Sequence, residues 1–182
     1  MKNKFIILLG IVVFIGIGYL ITKEMQEVSF NVKYEPQQPI NFSHKIHAGE
    51  NKIQCIYCHF AAEKGRHAGI PPVQLCLNCH SKVKMDSPEI KKLKTSLDTG
   101  KTIEWKKVHH FPDFAYFNHS QHVKVGKISC QECHGPVETM TRMRQEKMLN
   151  MGWCLNCHRQ KGIAPPEDHK SRAGGDCARC HY

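Results

Sequence analysis

Apolar residues follow three patterns along this chain, and each predicts a different kind of structure. Residues 5–22, FIILLGIVVFIGIGYLIT, form a run of 18 uncharged positions preceded by Lys2 and Lys4. As a helix this run spans about 27 Å at ~1.5 Å per residue, enough for a bilayer core of about 30 Å. A cleaved leader has a shorter apolar region that ends in small residues, whereas Lys23, Glu24 and Met25 follow here. The run therefore predicts an uncleaved transmembrane anchor over residues 1–24. The two lysines place the N-terminus in the cytoplasm and the remainder on the periplasmic side of the inner membrane, in a single pass. Residues 25–41 are polar, carry Pro36 and Pro39, and read as an extended tether.

The second pattern is one helical stripe. Ser87, Pro88 and Glu89 supply an N-cap, a first-turn proline and an acidic first turn. Ile90, Leu93 and Leu97 follow at helical spacing before Gly100, which predicts a helix over 88–98. The third pattern covers the rest of residues 42–182. Its apolar residues cluster around cysteines, and short helices in much irregular chain are expected there.

Composition explains that third pattern. The chain of 182 residues holds 10 Cys and 13 His. Every Cys belongs to a Cys-x-x-Cys pair, and His follows each pair: CIYCH at 55–59, CLNCH at 76–80, CQECH at 130–134, CLNCH at 154–158 and CARCH at 177–181. This is the attachment signature of c-type haem. Two thiols add to the two vinyl groups on one porphyrin edge, and the next residue swings beneath the ring to ligate iron. Zinc ribbons and disulfides also use such pairs, but neither needs a histidine after each one.

The expected cofactors are thus five c-type haems. Their thioether residues are Cys55, Cys58, Cys76, Cys79, Cys130, Cys133, Cys154, Cys157, Cys177 and Cys180. The proximal iron ligands are His59, His80, His134, His158 and His181. The fold class follows: mostly α and irregular, an N-terminal transmembrane helix plus a multihaem cytochrome c domain over 42–182 with little regular secondary structure. Porphyrin faces must form most of the core, with Phe42, Tyr57, Trp105, Phe117 and Trp153 packed on them. The charge balance of 26 − 16 = +10 first suggests nucleic-acid binding. Haem propionates offset much of it, so no nucleic-acid partner is expected.

The chain also repeats itself. FSHKIHAGENKIQCIYCH at 42–59 aligns without gaps to FNHSQHVKVGKISCQECH at 117–134, and a CLNCH motif follows each block. Two two-haem modules, 42–80 and 117–158, are predicted, with the motif at 177–181 as a fifth site. Low-spin electron-transfer haems need a distal ligand, His or Met. His44 with His47, and His119 with His122, stand at the same offsets from a motif, and each pair is expected to serve two irons. His67 is the next distal candidate. The second module has methionines where His67 would lie, so Met140 or Met151 is expected to ligate one haem, that of Cys154 and Cys157. His109 is held in reserve, while His110 and His169 read as surface or propionate partners. No phosphate loop, Ser–His–Asp set or carboxylate pair is present, so no catalytic residue is expected.

The F-x-H-x-x-H…C-x-x-C-H blocks resemble small class III multihaem cytochromes. With FSHKIH, GRHAGIP, WKKVHHFPDFAYFNHSQH, MGWCLNCHR and the N-terminal anchor, the chain is similar over nearly its whole length to the pentahaem cytochrome c subunit of bacterial alternative complex III. The resemblance implies a non-catalytic electron-transfer subunit of a respiratory quinol:electron-acceptor oxidoreductase. It also implies iron–sulfur and monohaem cytochrome partner subunits, and a downstream cytochrome c or terminal oxidase. One alternative is a stand-alone membrane-anchored quinol dehydrogenase, which would have a ligating Met soon after the first motif; FAAEKGRH follows instead. A multihaem reductase would need an open iron, yet all five motifs end in His and distal candidates are plentiful.

Overall fold

The computed structural model describes residues 2–29, 31–162 and 177–181. Helix α1, Lys2–Ser29, contains the whole apolar run. Its stretch Ile6–Met25 is long and apolar enough to cross a membrane, and none of it is buried against the rest of the chain. Phe14 is 79% exposed there. A continuous apolar helix left unburied calls for an apolar surrounding from elsewhere.

The segment after α1 differs from the expected tether. It is extended, but it is strapped to the domain. Lys33 N–H donates to the Gln145 carbonyl at 2.7 Å, and Gln145 N–H donates to the Tyr34 carbonyl at 3.1 Å. Gln38 exchanges two 2.9 Å hydrogen bonds with the backbone of Lys106. Asn41 N–H donates to the Glu89 carboxylate at 2.9 Å, and Ile40 is only 5% exposed. Residues 31–41 form no periodic element, so sequence pattern did not reveal what they bind.

The predicted helix appears as α4, Pro88–Thr99, with Leu93 buried and Gly100 in the left-handed region at φ 67°. The other helices are short and sit on the cysteine motifs: α2 Cys55–Cys58, α3 Val73–His80, α5 Cys130–His134 and α6 Met151–Gln160. No strand occurs among the described residues. α3 packs on α4.

The repeats interlock. Lys45–Glu50 and Gln121–Val125 are both π-helical turns, one from each repeat. The first packs on the 3₁₀ turn Val137–Thr139 behind the third motif. The second packs on the 3₁₀ turn Phe60–Glu63 behind the first motif. Each module thus lays its histidine turn against the segment that follows the other's leading motif.

Few side chains fill the interior. Among the described residues the buried apolar ones are Ile40, Ala62, Leu93, Met140 and Leu149. Gln145 is buried at 0% exposure, and its amide also donates to Lys147 O and accepts from His110 N–H. A fully bonded buried amide ties the strap, the inter-module connector and the methionine-rich segment together without leaving an unpaired polar group. A cavity of about 2700 Å³ lies among the described residues. An ordinary small-molecule site holds about 300–1,000 Å³, so this space suits several large groups.

Candidate functional site

The motif cysteines are placed by helical spacing. Residues three apart share a helix face, so each Cys-x-x-Cys presents both sulfurs to one side. All ten cysteines are free of disulfides and line the cavity with the five motif histidines. His80 and His134 are the last residues of their short helices, His59 leaves its helix at φ −99°, ψ 46°, and His158 lies within α6.

Hydrogen bonds then orient the imidazoles. Nδ1 of His59 lies 2.7 Å from Gly69 O, that of His80 3.0 Å from Val83 O, and that of His181 2.8 Å from Phe114 O. The spacer histidines behave alike: His47 bonds Ser43 O at 2.8 Å, His119 bonds Arg66 O at 2.7 Å and His122 bonds Asn118 O at 2.8 Å. A carbonyl acceptor requires the proton on Nδ1 and leaves the Nε2 lone pair free for a metal. His44 differs, because its buried Nδ1 meets no acceptor among the described residues.

The histidines face one another in pairs across the cavity. Ring centres lie 6.5 Å apart for His44–His59, 6.0 Å for His47–His80, 6.4 Å for His119–His134 and 6.0 Å for His122–His158. Two imidazoles bound to one metal through nitrogen, at about 2 Å each, place their centres roughly 6 Å apart. Each of the four pairs contains one motif histidine and one spacer histidine. Within a repeat, the first pair is near-parallel, at 12° and 6°, and the second is turned, at 61° and 42°. The donor set, the tautomers and the cavity therefore fit haem irons held between histidines.

Electrostatics agree with ligation. Burial, with His59 beside it, brings His44 down to about 4. Burial and then His109 bring His134 down to about 3. Both rings are neutral at physiological pH, the form that binds metal. Burial also raises the thiols: Cys133 goes to about 11, with Cys157 adding to it. Cys58 is raised by burial and by Cys76, Cys130 by burial and the Cys55 thiol beside it, and Cys154 by burial and Cys180.

Several expectations change. The place opposite His158 is taken by His122 rather than by a methionine. Met140 is 1% exposed and is not among the cavity-lining residues; it is a packing residue whose carbonyl accepts from Lys45 N–H. Met151 lines the cavity at the start of α6, 61% exposed. Phe42 and Phe117 stack on His47 and His122 at 4.3 Å, so they brace imidazoles. Phe42, Tyr57, Trp105, Phe117 and Trp153 all line the cavity. His67 lines it too, His110 is exposed outside it, and His169 is outside the described residues. His109 lies beside His134, not across from it. Sequence reading missed the carbonyl acceptors. GRHAGIP was noticed for His67, yet its backbone holds histidines of both modules through Gly69 O and Arg66 O.

Comparison with known proteins supplies the deciding observation. Residues 115–182 match the family described as cytochrome c7 and related cytochrome c. The chain carries a multihaem cytochrome c domain. It is also similar to the multiheme cytochrome c subunit of menaquinone reductase from Nitratidesulfovibrio vulgaris, 32% identical over 126 residues. That alignment covers 69% of this chain and 56% of the relative, so this cytochrome spans little more than half of the relative's length.

Proposed function

We propose that this chain relays electrons through five covalently bound c-type haems, as a non-catalytic subunit of a quinone-linked respiratory complex. The observation that carries the reading is the set of four His–His pairs across one cavity, each with a motif histidine as one member. In the proposal the ten motif cysteines are thioether ligands. His44, His47, His119 and His122 are the distal ligands of His59, His80, His134 and His158. His67 completes the fifth site with His181. In support, the Arg66 guanidinium covers the Tyr116 ring at 4.9 Å, and Tyr116 N–H bonds the Cys180 carbonyl at 2.7 Å.

Bound haem iron supplies one-electron exchange between ferric and ferrous states. The protein fixes ligand tautomers and sets the order of the sites. Cys76 neighbours Cys58, Cys55 neighbours Cys130, Cys133 neighbours Cys157 and Cys154 neighbours Cys180. This electrostatic proximity supports a single file of motifs in the order second, first, third, fourth, fifth. Entry and exit then lie at the second and fifth motifs.

Helix α1 is read as the anchor that holds the haem domain on the periplasmic face. Iron–sulfur and monohaem partners, quinol oxidation and a downstream cytochrome c or terminal oxidase rest on the resemblance to alternative complex III. The name of the relative favours a second direction, delivery of electrons to menaquinone. The test is extraction of the native complex in mild detergent. Intact mass should show five haem additions, and companion subunits should be present. Menaquinol should reduce the haems in the complex but not in the isolated chain. Fewer than five additions, or direct reduction of the isolated chain, would sink the reading. Haems that reduce with a periplasmic donor and then pass electrons to menaquinone would establish the second direction.

A further inference from the structure

Four of the motif histidines hold their Nδ1 in one of two ways. His59, His80 and His181 each use a backbone carbonyl. His134 instead meets a side chain, with 3.0 Å between its Nδ1 and His109 Nε2. The two rings are perpendicular at 88°, with centres 4.4 Å apart. His109 therefore lies on the Nδ1 edge of His134. His119 is the ring that faces His134, within 6° of parallel.

Ligation would fix the protons on both rings. If His134 gives Nε2 to iron, its proton sits on Nδ1 and must be donated. His109 Nε2 then accepts, and the His109 proton sits on its own Nδ1. This step rests on the proposed role of His134 as an iron ligand.

We propose that His109 is a positioning residue that accepts the His134 Nδ1–H and lowers the reduction potential of the site at Cys130 and Cys133. An imidazole nitrogen is a stronger base than a peptide carbonyl oxygen. It draws the Nδ1 proton harder, makes the ligating Nε2 more electron-rich and favours ferric iron. The feature is specific to one module. His109 belongs to the connector between the repeats, and the matching histidine of the first repeat, His59, has Gly69 O in its place. Two repeats that share their turns and ring stacking are thereby given different sites.

The test uses the full chain extracted from membranes, with His109→Leu and His109→Gln beside the wild type. Intact mass first counts haems in all three; a wild type with no haem on Cys130 and Cys133 would refute the underlying reading. With haem present, redox titration followed by electron paramagnetic resonance reads the inference itself. His109→Leu should move one midpoint upward, leave the others in place and keep that iron low-spin. His109→Gln, which retains a side-chain acceptor, should move the same midpoint less. A high-spin ferric centre in His109→Leu would make His109 a distal ligand and overturn the proposal. Unmoved midpoints would overturn it equally.

Discussion

At the level of single residues, what holds a ligand counts as much as the ligand. His122 faces His158 at 6.0 Å, is stacked on Phe117 and is held through Nδ1 by Asn118 O. On the proposed ligation, removing it leaves one iron without a sixth ligand. His122→Ala is expected to bind carbon monoxide at one haem per chain, where the wild type binds little or none. Carbon monoxide difference spectra check this, and an unchanged wild-type spectrum would remove His122 from the ligand set. Met140 gives the opposite expectation. It is 1% exposed and packs away from the cavity, so Met140→Ala should cost about 2–5 kcal/mol of stability. Haem spectra should not change, and no near-infrared band of His–Met ligation should be present even in the wild type. Sequence spacing could single out His44, His47, His119 and His122, which the fold sets opposite motif histidines, because the blocks repeat. It could not tell Met140 from a ligand, because a buried thioether and a ligating one look alike in a sequence.

Elements show why the repeat was legible and the interlock was not. The aligned blocks share more than their histidines. Lys52 and Lys127 both take left-handed φ, at 56° and 53°, and the next residue, Ile53 or Ile128, bonds back to His47 O or His122 O at 3.0 Å. A gapless alignment captures such local geometry because it is set by near neighbours. The packing of one module's π-turn on the other module's 3₁₀ turn leaves no periodic trace. Gly49 exposes that contact: a Cβ built there would collide with the Glu138 carbonyl. Backbone cannot yield as a side-chain tip does, so Gly49→Ala should cost about 1–3 kcal/mol as overpacking does. Its counterpart in the alignment, Lys124, is exposed, and Lys124→Ala should change stability by no more than about 0.5 kcal/mol. Thermal unfolding followed at the haem absorbance compares the two. Equal melting temperatures would mean that the modules do not meet at Gly49.

Across the whole molecule, the boundary between anchor and domain falls earlier than hydropathy places it. Polar composition and two prolines made residues 25–41 look like a free linker. The five hydrogen bonds of Lys33, Tyr34, Gln38 and Asn41, with buried Ile40, make residues 31–41 part of the domain. Much of this polar matching runs to backbone groups, which a sequence does not display. Ile40 contributes about 1.5–3 kcal/mol by burial and each hydrogen bond about 1 kcal/mol, set against the entropy of ordering the strap. Two chains exported behind a cleavable leader separate the possibilities. One beginning at residue 31 should be released from the membrane with its full complement of haems and unfold as the anchored form does. One beginning at residue 42 also leaves the backbone of buried Gln145 without its partners on Lys33 and Tyr34. It should be less stable by roughly 2–4 kcal/mol and unfold at lower temperature. Identical unfolding of the two would return residues 31–41 to the role of a tether. Retention of either in the membrane would show that α1 is not what anchors the chain.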